Sequence, residues 1–193
     1  MEKRELEIYE AGETLLEDRL SQNIEAIQMD VQSTPEDYCG DFFQAIQDLM
    51  ERVTIAQQEG KQGALRYIAI SYLQSSLYTG SYKLRLDAYD ERQFSDLADS
   101  HIYWTPHFIL KHLEQDMAHF RKHIGQHIPR VQEYEVMRFM ARYSLYYFQM
   151  ILQLVSALIE PAIAQNIPET QALTVTFSGY MDEAIVLFDT EGV

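Results

Sequence analysis

The chain has 193 residues, 47% of them hydrophobic and 12% aromatic, enough to bury a core and to exclude global disorder. Its net charge is −15, with 4 Lys/Arg against 15 Asp/Glu in residues 1–59, 11 against 9 in residues 60–149, and none against 6 thereafter. Acidic ends repel a phosphate backbone, so nucleic acid is disfavoured as a ligand, and the single cysteine, Cys39, excludes an intrachain disulfide and suits a reducing interior.

Leu16, Leu20, Ile24, Ile27 and Val31 recur at helical spacing and predict a first helix, with Gly12 as a weak point near its start. "STPED" then stops one helix and starts another. Thr34 is placed to cap, Pro35 to occupy the first helical position, and Asp37 to complete a capping box. Phe42, Ile46, Leu49 and Val53 form the inner face of this second helix, which ends at Glu59-Gly60.

"ALRYIAISYLQSSLY" is apolar on most sides. The expectation is a third helix from about Gln62 to Tyr78, buried in a bundle and stopped by Thr79-Gly80. "SYKLRLDAYD" alternates apolar and polar residues and predicts a half-buried strand near 82–89, with a short helix around Glu91–Asp99 after it. Arg85, Asp87, Asp90, Glu91 and Arg92 concentrate at that junction and read either as a salt-bridge network that fixes it or as a recognition surface.

Thr105-Pro106 repeats the capping logic and opens a helix to about Ile124, with Leu110, Leu113, Met117, Phe120 and Ile124 on its inner face. Gly125 and Pro129 bracket a turn. The longest helix runs from about Arg130 toward Ile159, where Pro161 should kink or end it. Its uncharged stretch from Tyr143 to Ile159 spans 17 residues but carries two serines, two glutamines and three tyrosines, so it reads as a core helix rather than a membrane span. No apolar leader opens the sequence, and the cytoplasm is the expected compartment. "LTVTF" and "AIVLF", separated by "SGYMDE", predict a β-hairpin. These elements specify a mainly helical α+β fold: a bundle of five to six helices with a small antiparallel sheet from residues near 82–89, 173–178 and 184–189. The expected organisation is one domain, with acidic N-terminal helices (1–59), core and histidine-rich helices (60–165) and the hairpin (170–190).

All six histidines lie between His101 and His127. On a helix, His112, Asp116, His119 and His123 fall on one narrow stripe beside the apolar one. Imidazoles at i and i+4 with a nearby carboxylate are the elements of a metal site, and a divalent metal such as zinc is the group it would take; no organic cofactor is expected. Arg121 and Lys122 oppose a cation there, and neither the His-Glu-x-x-His element nor the Glu-x-x-His element of di-iron bundles is present. The competing reading is a helix boundary whose histidines bond neighbouring carboxylates and tyrosines.

"RKHIGQH" resembles the Arg-polar-x4-His signature of HEPN-type ribonucleases, which are helical and usually dimeric. That resemblance covers seven residues and implies that Arg121 would stabilise phosphate charge and His127 would transfer protons. Lys122 stands where the family has a smaller polar group, and Gly125 and Pro129 would interrupt the helix. Tyr67, Tyr72, Tyr78, Tyr143, Tyr146 and Tyr147 could line a small-molecule pocket, though core packing is the commoner use of such residues. No set of residues completes a catalytic constellation. The expected function is therefore non-enzymatic, acting through a protein partner or self-association in a regulatory, adaptor or immunity-type role. The alternative is a metal-binding or hydrolytic protein centred on His112–His127.

Overall fold

A computed structural model describes residues 3–92, 100–168, 171–180 and 182–190, without the side chains of residues 36–38 and 74. Five helices and five strands follow in the order α1 (Lys3–Ser33), α2 (Pro35–Gln58), β1 (Tyr67–Tyr72), α3 (Gln74–Thr79), β2 (Leu84–Tyr89), β3 (His101–Trp104), α4 (His107–His127), α5 (Glu133–Asn166), β4 (Thr174–Gly179) and β5 (Ile185–Asp189). The fold is α+β and mainly α.

The first helix starts well before its apolar stripe. Gly12 is no weak point: it lies mid-helix and buried, where an added Cβ would abut the Phe139 ring and come within 2.9 Å of Phe120. Glycine is there because α4 and α5 press against that point of α1. At the α1–α2 junction Pro35 takes the first helical position as expected, but the Thr34 side chain makes no capping bond and its hydroxyl instead donates to the Asp30 carbonyl. Asp37 lies outside the described side chains.

The largest departure is at residues 62–78. "YIAISY" is a strand, not a helix, and only Gln74–Thr79 is helical, closed by Gly80 at φ 68°. A strand covered on both faces is apolar nearly throughout, so it resembles a buried helix in composition. The β-branched Ile68 and Ile70, both fully buried, carried the strand signal. β1 is the middle strand of the sheet, in the order β3-β2-β1-β4-β5. It pairs antiparallel with β2 (Ile70 opposite Leu86) and parallel with β4 (Ile70 opposite Phe177). The sheet is thus mixed and five-stranded rather than antiparallel and three-stranded. "HIYW" supplies the unforeseen edge β3, with Ile102 and Trp104 turned inward and Trp104 packed 5.0 Å from the Phe42 ring of α2. The C-terminal hairpin forms as expected, with a register shift between Val175 and Thr176. The expected helix near 91–99 falls largely outside the described residues.

α5 contacts α1, α2, α3, α4 and β5 and is the central helix. Among the described residues it is the helix long and apolar enough to cross a bilayer, a criterion that core helices also meet. It runs through Pro161 to Asn166 because Ile159, Ala162 and Ile163 are all buried around the proline, and their packing offsets the one missing hydrogen bond. Its start is fixed by a capping box between Gln132 and Glu135, three residues after the expected start near Arg130. α4 likewise continues through Gly125 to His127, so this glycine does not end it.

Candidate functional site

The five apolar residues expected on the inner face of α4 are all buried. Asp116 is buried with them, at 0% exposure, and not at a solvent boundary. Its carboxylate lies where α1, α4 and α5 meet. Arg19 Nε donates to Oδ1 at 2.8 Å. Oδ2 accepts from Asn23 Nδ2 at 3.1 Å, Tyr143 OH at 2.8 Å and Tyr147 OH at 2.6 Å. Arg19 and Asn23 are one turn apart on α1, and Tyr143 and Tyr147 one turn apart on α5, so each helix offers an i, i+4 pair to the same carboxylate.

Burying a carboxylate is costly unless it is paired and fully hydrogen-bonded. Here one guanidinium and three neutral donors meet that requirement. Three of these donors converge on Oδ2 and one on Oδ1. Burial, then the Asp116 charge, pushes the Tyr143 phenol well above the ordinary tyrosine range, and burial and the bond to Asp116 do the same for Tyr147. Both therefore stay protonated and keep donating.

The network extends to His112. The Asn23 amide nitrogen donates to Asp116 and, at 3.0 Å, to Tyr147 OH. Its oxygen therefore faces His112 Nδ1 at 3.0 Å as an acceptor, which assigns the proton to Nδ1 and leaves Nε2 with its lone pair. Nε2 is buried and has no partner. Burial and the neighbouring Lys111 hold the His112 pKa below its ordinary value, so the ring is neutral.

The other sequence candidates do not converge on this point. His119 and His123 lie half-buried on α4 with ring centroids 4.4 Å apart. Burial and the charge of Arg19 keep the His119 pKa low. Arg121 is on the surface, with Nη2 donating to Glu133 Oε1 at 2.7 Å, and His127 is the exposed last residue of α4. Among the described residues no three His, Cys, Asp or Glu side chains are arranged to hold a metal ion. A cation at Asp116 Oδ1 would compete with Arg19.

The junction after β2 holds ion pairs, the first of the two readings of that segment. The Arg85 guanidinium binds Asp87 two residues on, on the same face of the strand. Asp90 accepts from the Arg92 guanidinium and from the Gly63 amide at 2.9 Å, and these bonds, the first above all, hold its pKa down at about 2. These bonds tie the end of β2 to the loop entering β1. Arg19 and Asn23 were not legible as site residues. Their signal is positional: they occupy the stripe that runs through the buried Gly12, Leu16 and Ile27.

The chain matches no protein-family model, and no curated protein or solved structure matches it.

Proposed function

We propose that this protein acts in the cytoplasm by binding a protein partner, and that it is not an enzyme. The observation that carries the reading is the outer edge of β5, which pairs with no further strand among the described residues. Ile185 and Val186 are adjacent and therefore point to opposite faces, yet they are 54% and 56% exposed. Edge strands usually carry charges, prolines or covers that block further pairing, and "IVLF" has none of these. Beside it, Leu145 of α5 is exposed, and Leu152 and Ala157 line the groove between α5 and β5.

Charge identifies the partner. No Lys, Arg or His occurs after Arg142, while Asp182 and Glu183 precede β5 and Asp189 ends it. The partner that suits this edge is an extended segment with apolar side chains and basic flanks, added as a sixth strand. A second copy of this chain would instead bring acid against acid. The alternative of a metal-dependent or hydrolytic site at His112–His127 is less supported, because Arg19 already pairs with Asp116 Oδ1 and three donors hold Oδ2.

Cross-linking of the protein in an extract of its native cell, with the cross-linked peptides mapped, tests this reading. The expected result is a partner joined at residues 182–189 and lost in the Ile185→Lys/Val186→Lys variant. Cross-links confined to other surfaces, or unaltered by that variant, would overturn it.

A further inference from the structure

At the opposite end of the sheet from β5, the outer edge of β3 and the flank of α2 enclose an open groove of about 710 Å3. Its helix wall is one stripe of α2. Asp41, Asp48, Glu51 and Ile55 follow at spacings of 7, 3 and 4 residues, and all four are exposed. The stripe runs for about 21 Å along the helix, at 1.5 Å per residue. Three carboxylates line the groove against one guanidinium, that of Arg52. The groove is therefore acidic, in a part of the chain (residues 1–59) with 4 Lys/Arg against 15 Asp/Glu.

The strand wall offers backbone. The Ala88 amide donates to the Ser100 carbonyl at 2.9 Å, and in an antiparallel ladder every second residue bonds to the neighbouring strand. In that register Ile102 and Trp104 bond to Leu86 and Leu84 of β2. Tyr103 then turns its N–H and C=O outward, to an edge that pairs with no further strand among the described residues.

The same wall holds an unused donor. Trp104 is 5% exposed and lines the groove, and its buried Nε1–H has no acceptor. A buried indole N–H ordinarily has a partner. An acceptor brought from outside would complete it.

These three features select one ligand. An edge strand pairs with extended backbone, and the carbonyls of such a backbone are acceptors of the kind Nε1 lacks. A row of carboxylates selects cationic side chains. Lysine and arginine lay apolar stems on a surface such as Ile55 and Ala45 while their heads reach the acids. Nucleic acid would bring phosphates against these carboxylates.

We propose that this groove docks an extended, lysine- or arginine-rich segment of a partner protein, added to β3 as a further strand. Its backbone pairs with Tyr103, one of its carbonyls accepts from Trp104 Nε1, and its cationic side chains reach Asp41, Asp48 and Glu51. This is a second partner surface, separate from the apolar β5 edge, and it does not rest on the reading of that edge.

NMR titration of the full chain with acetyl-Lys-Val-Lys-Val-Lys-Val-amide and its glutamate counterpart, acetyl-Glu-Val-Glu-Val-Glu-Val-amide, tests it. The chain has one tryptophan, so a single indole N–H resonance reports on the groove. The expected result is a saturable shift of that resonance with the lysine peptide and none with the glutamate peptide. Affinity should fall about tenfold or more in Asp48→Lys/Glu51→Lys, where like charges would face each other. Ile185→Lys/Val186→Lys should bind the lysine peptide as the parent does. Absence of a saturable indole shift, an equal response to both peptides, or unchanged affinity in Asp48→Lys/Glu51→Lys would overturn the proposal. So would loss of the shift in Ile185→Lys/Val186→Lys, which would place the peptide at β5.

Discussion

Asp116→Ala removes the acceptor around which three helices are arranged. Tyr143 and Tyr147 are 2% and 0% exposed, so both phenols would be left inside the protein without their acceptor. Each unpaired buried hydroxyl costs about 1–3 kcal/mol. Arg19 is 35% exposed and can turn to water, so its lost pairing adds only about 0–1 kcal/mol. Two terms offset this: the carboxylate no longer has to be desolvated, and Tyr147 OH can still accept from Asn23. The expected net loss is about 3 kcal/mol, against a total stability of roughly 5–15 kcal/mol for a domain. Equilibrium urea unfolding reads this directly. With a slope of about 2–3 kcal/mol/M the midpoint should fall by about 1–1.5 M. Tyr143→Phe should cost less in the Asp116→Ala background than in the parent, because the acceptor for its hydroxyl has already gone. A midpoint shift below about 0.3 M, or strictly additive effects of the two substitutions, would show that the network contributes nothing and would refute the reasoning.

Alkali should unfold the protein through the same tyrosines. Their folded pKa values lie above the ordinary value of 10.0, so above about pH 10 the unfolded chain holds fewer protons than the folded one and stability falls. The slope reaches about 1.4 kcal/mol per pH unit per group; urea midpoints between pH 9 and 11 should decline less steeply in Tyr143→Phe and Tyr147→Phe than in the parent. Gly12→Ala and Gly125→Ala should have opposite signs in thermal unfolding, although both glycines are helical. The first drives a methyl into Phe139 and Phe120 and should destabilise by about 1–3 kcal/mol. The second meets nothing within 4 Å and should stabilise by about 0.5–1 kcal/mol.

What was legible in the sequence follows from how local each signal is. The 3, 4, 3, 4 spacing of Leu110 to Ile124 and the alternation of Leu84, Leu86 and Ala88 are properties of one segment, and both elements form. The β1 strand is different: its apolar character comes from being covered by strands and helices remote in sequence, and only β-branching distinguishes it from a buried helix. Asp116 is the same problem at the scale of a side chain. Its helical angle places it beside His112, His119 and His123, and that is the stripe it belongs to by spacing. Its burial depends on Arg19, 97 residues away, and on Tyr147, 31 residues on, whose convergence no spacing rule contains.

The polar network also accounts for the register of the helices. Reading α4 backward and α1 and α5 forward gives successive layers: Phe120 with Gly12 and Phe139, then Asp116 with Arg19 and Tyr143, then His112 with Asn23 and Tyr147. The first layer is apolar, with the Phe120 and Phe139 rings stacked 4.1 Å apart. A slip of α4 by one turn, about 5.4 Å, would bring Asp116 against Phe139 and Gly12, where neither offers its carboxylate a side-chain donor. The opposite slip would drive Phe120 against a guanidinium and a phenol. An apolar layer in place of Asp116 would tolerate either register, since Leu113, Met117 and Phe120 present similar surfaces at neighbouring turns. The buried carboxylate therefore penalises the wrong arrangement more than it stabilises the right one, which is the best-attested use of a polar group in a helical core. In that light the histidine stripe of α4 is a seam: His112 completes the network, His119 packs beside it, and His123 is where the seam reaches solvent.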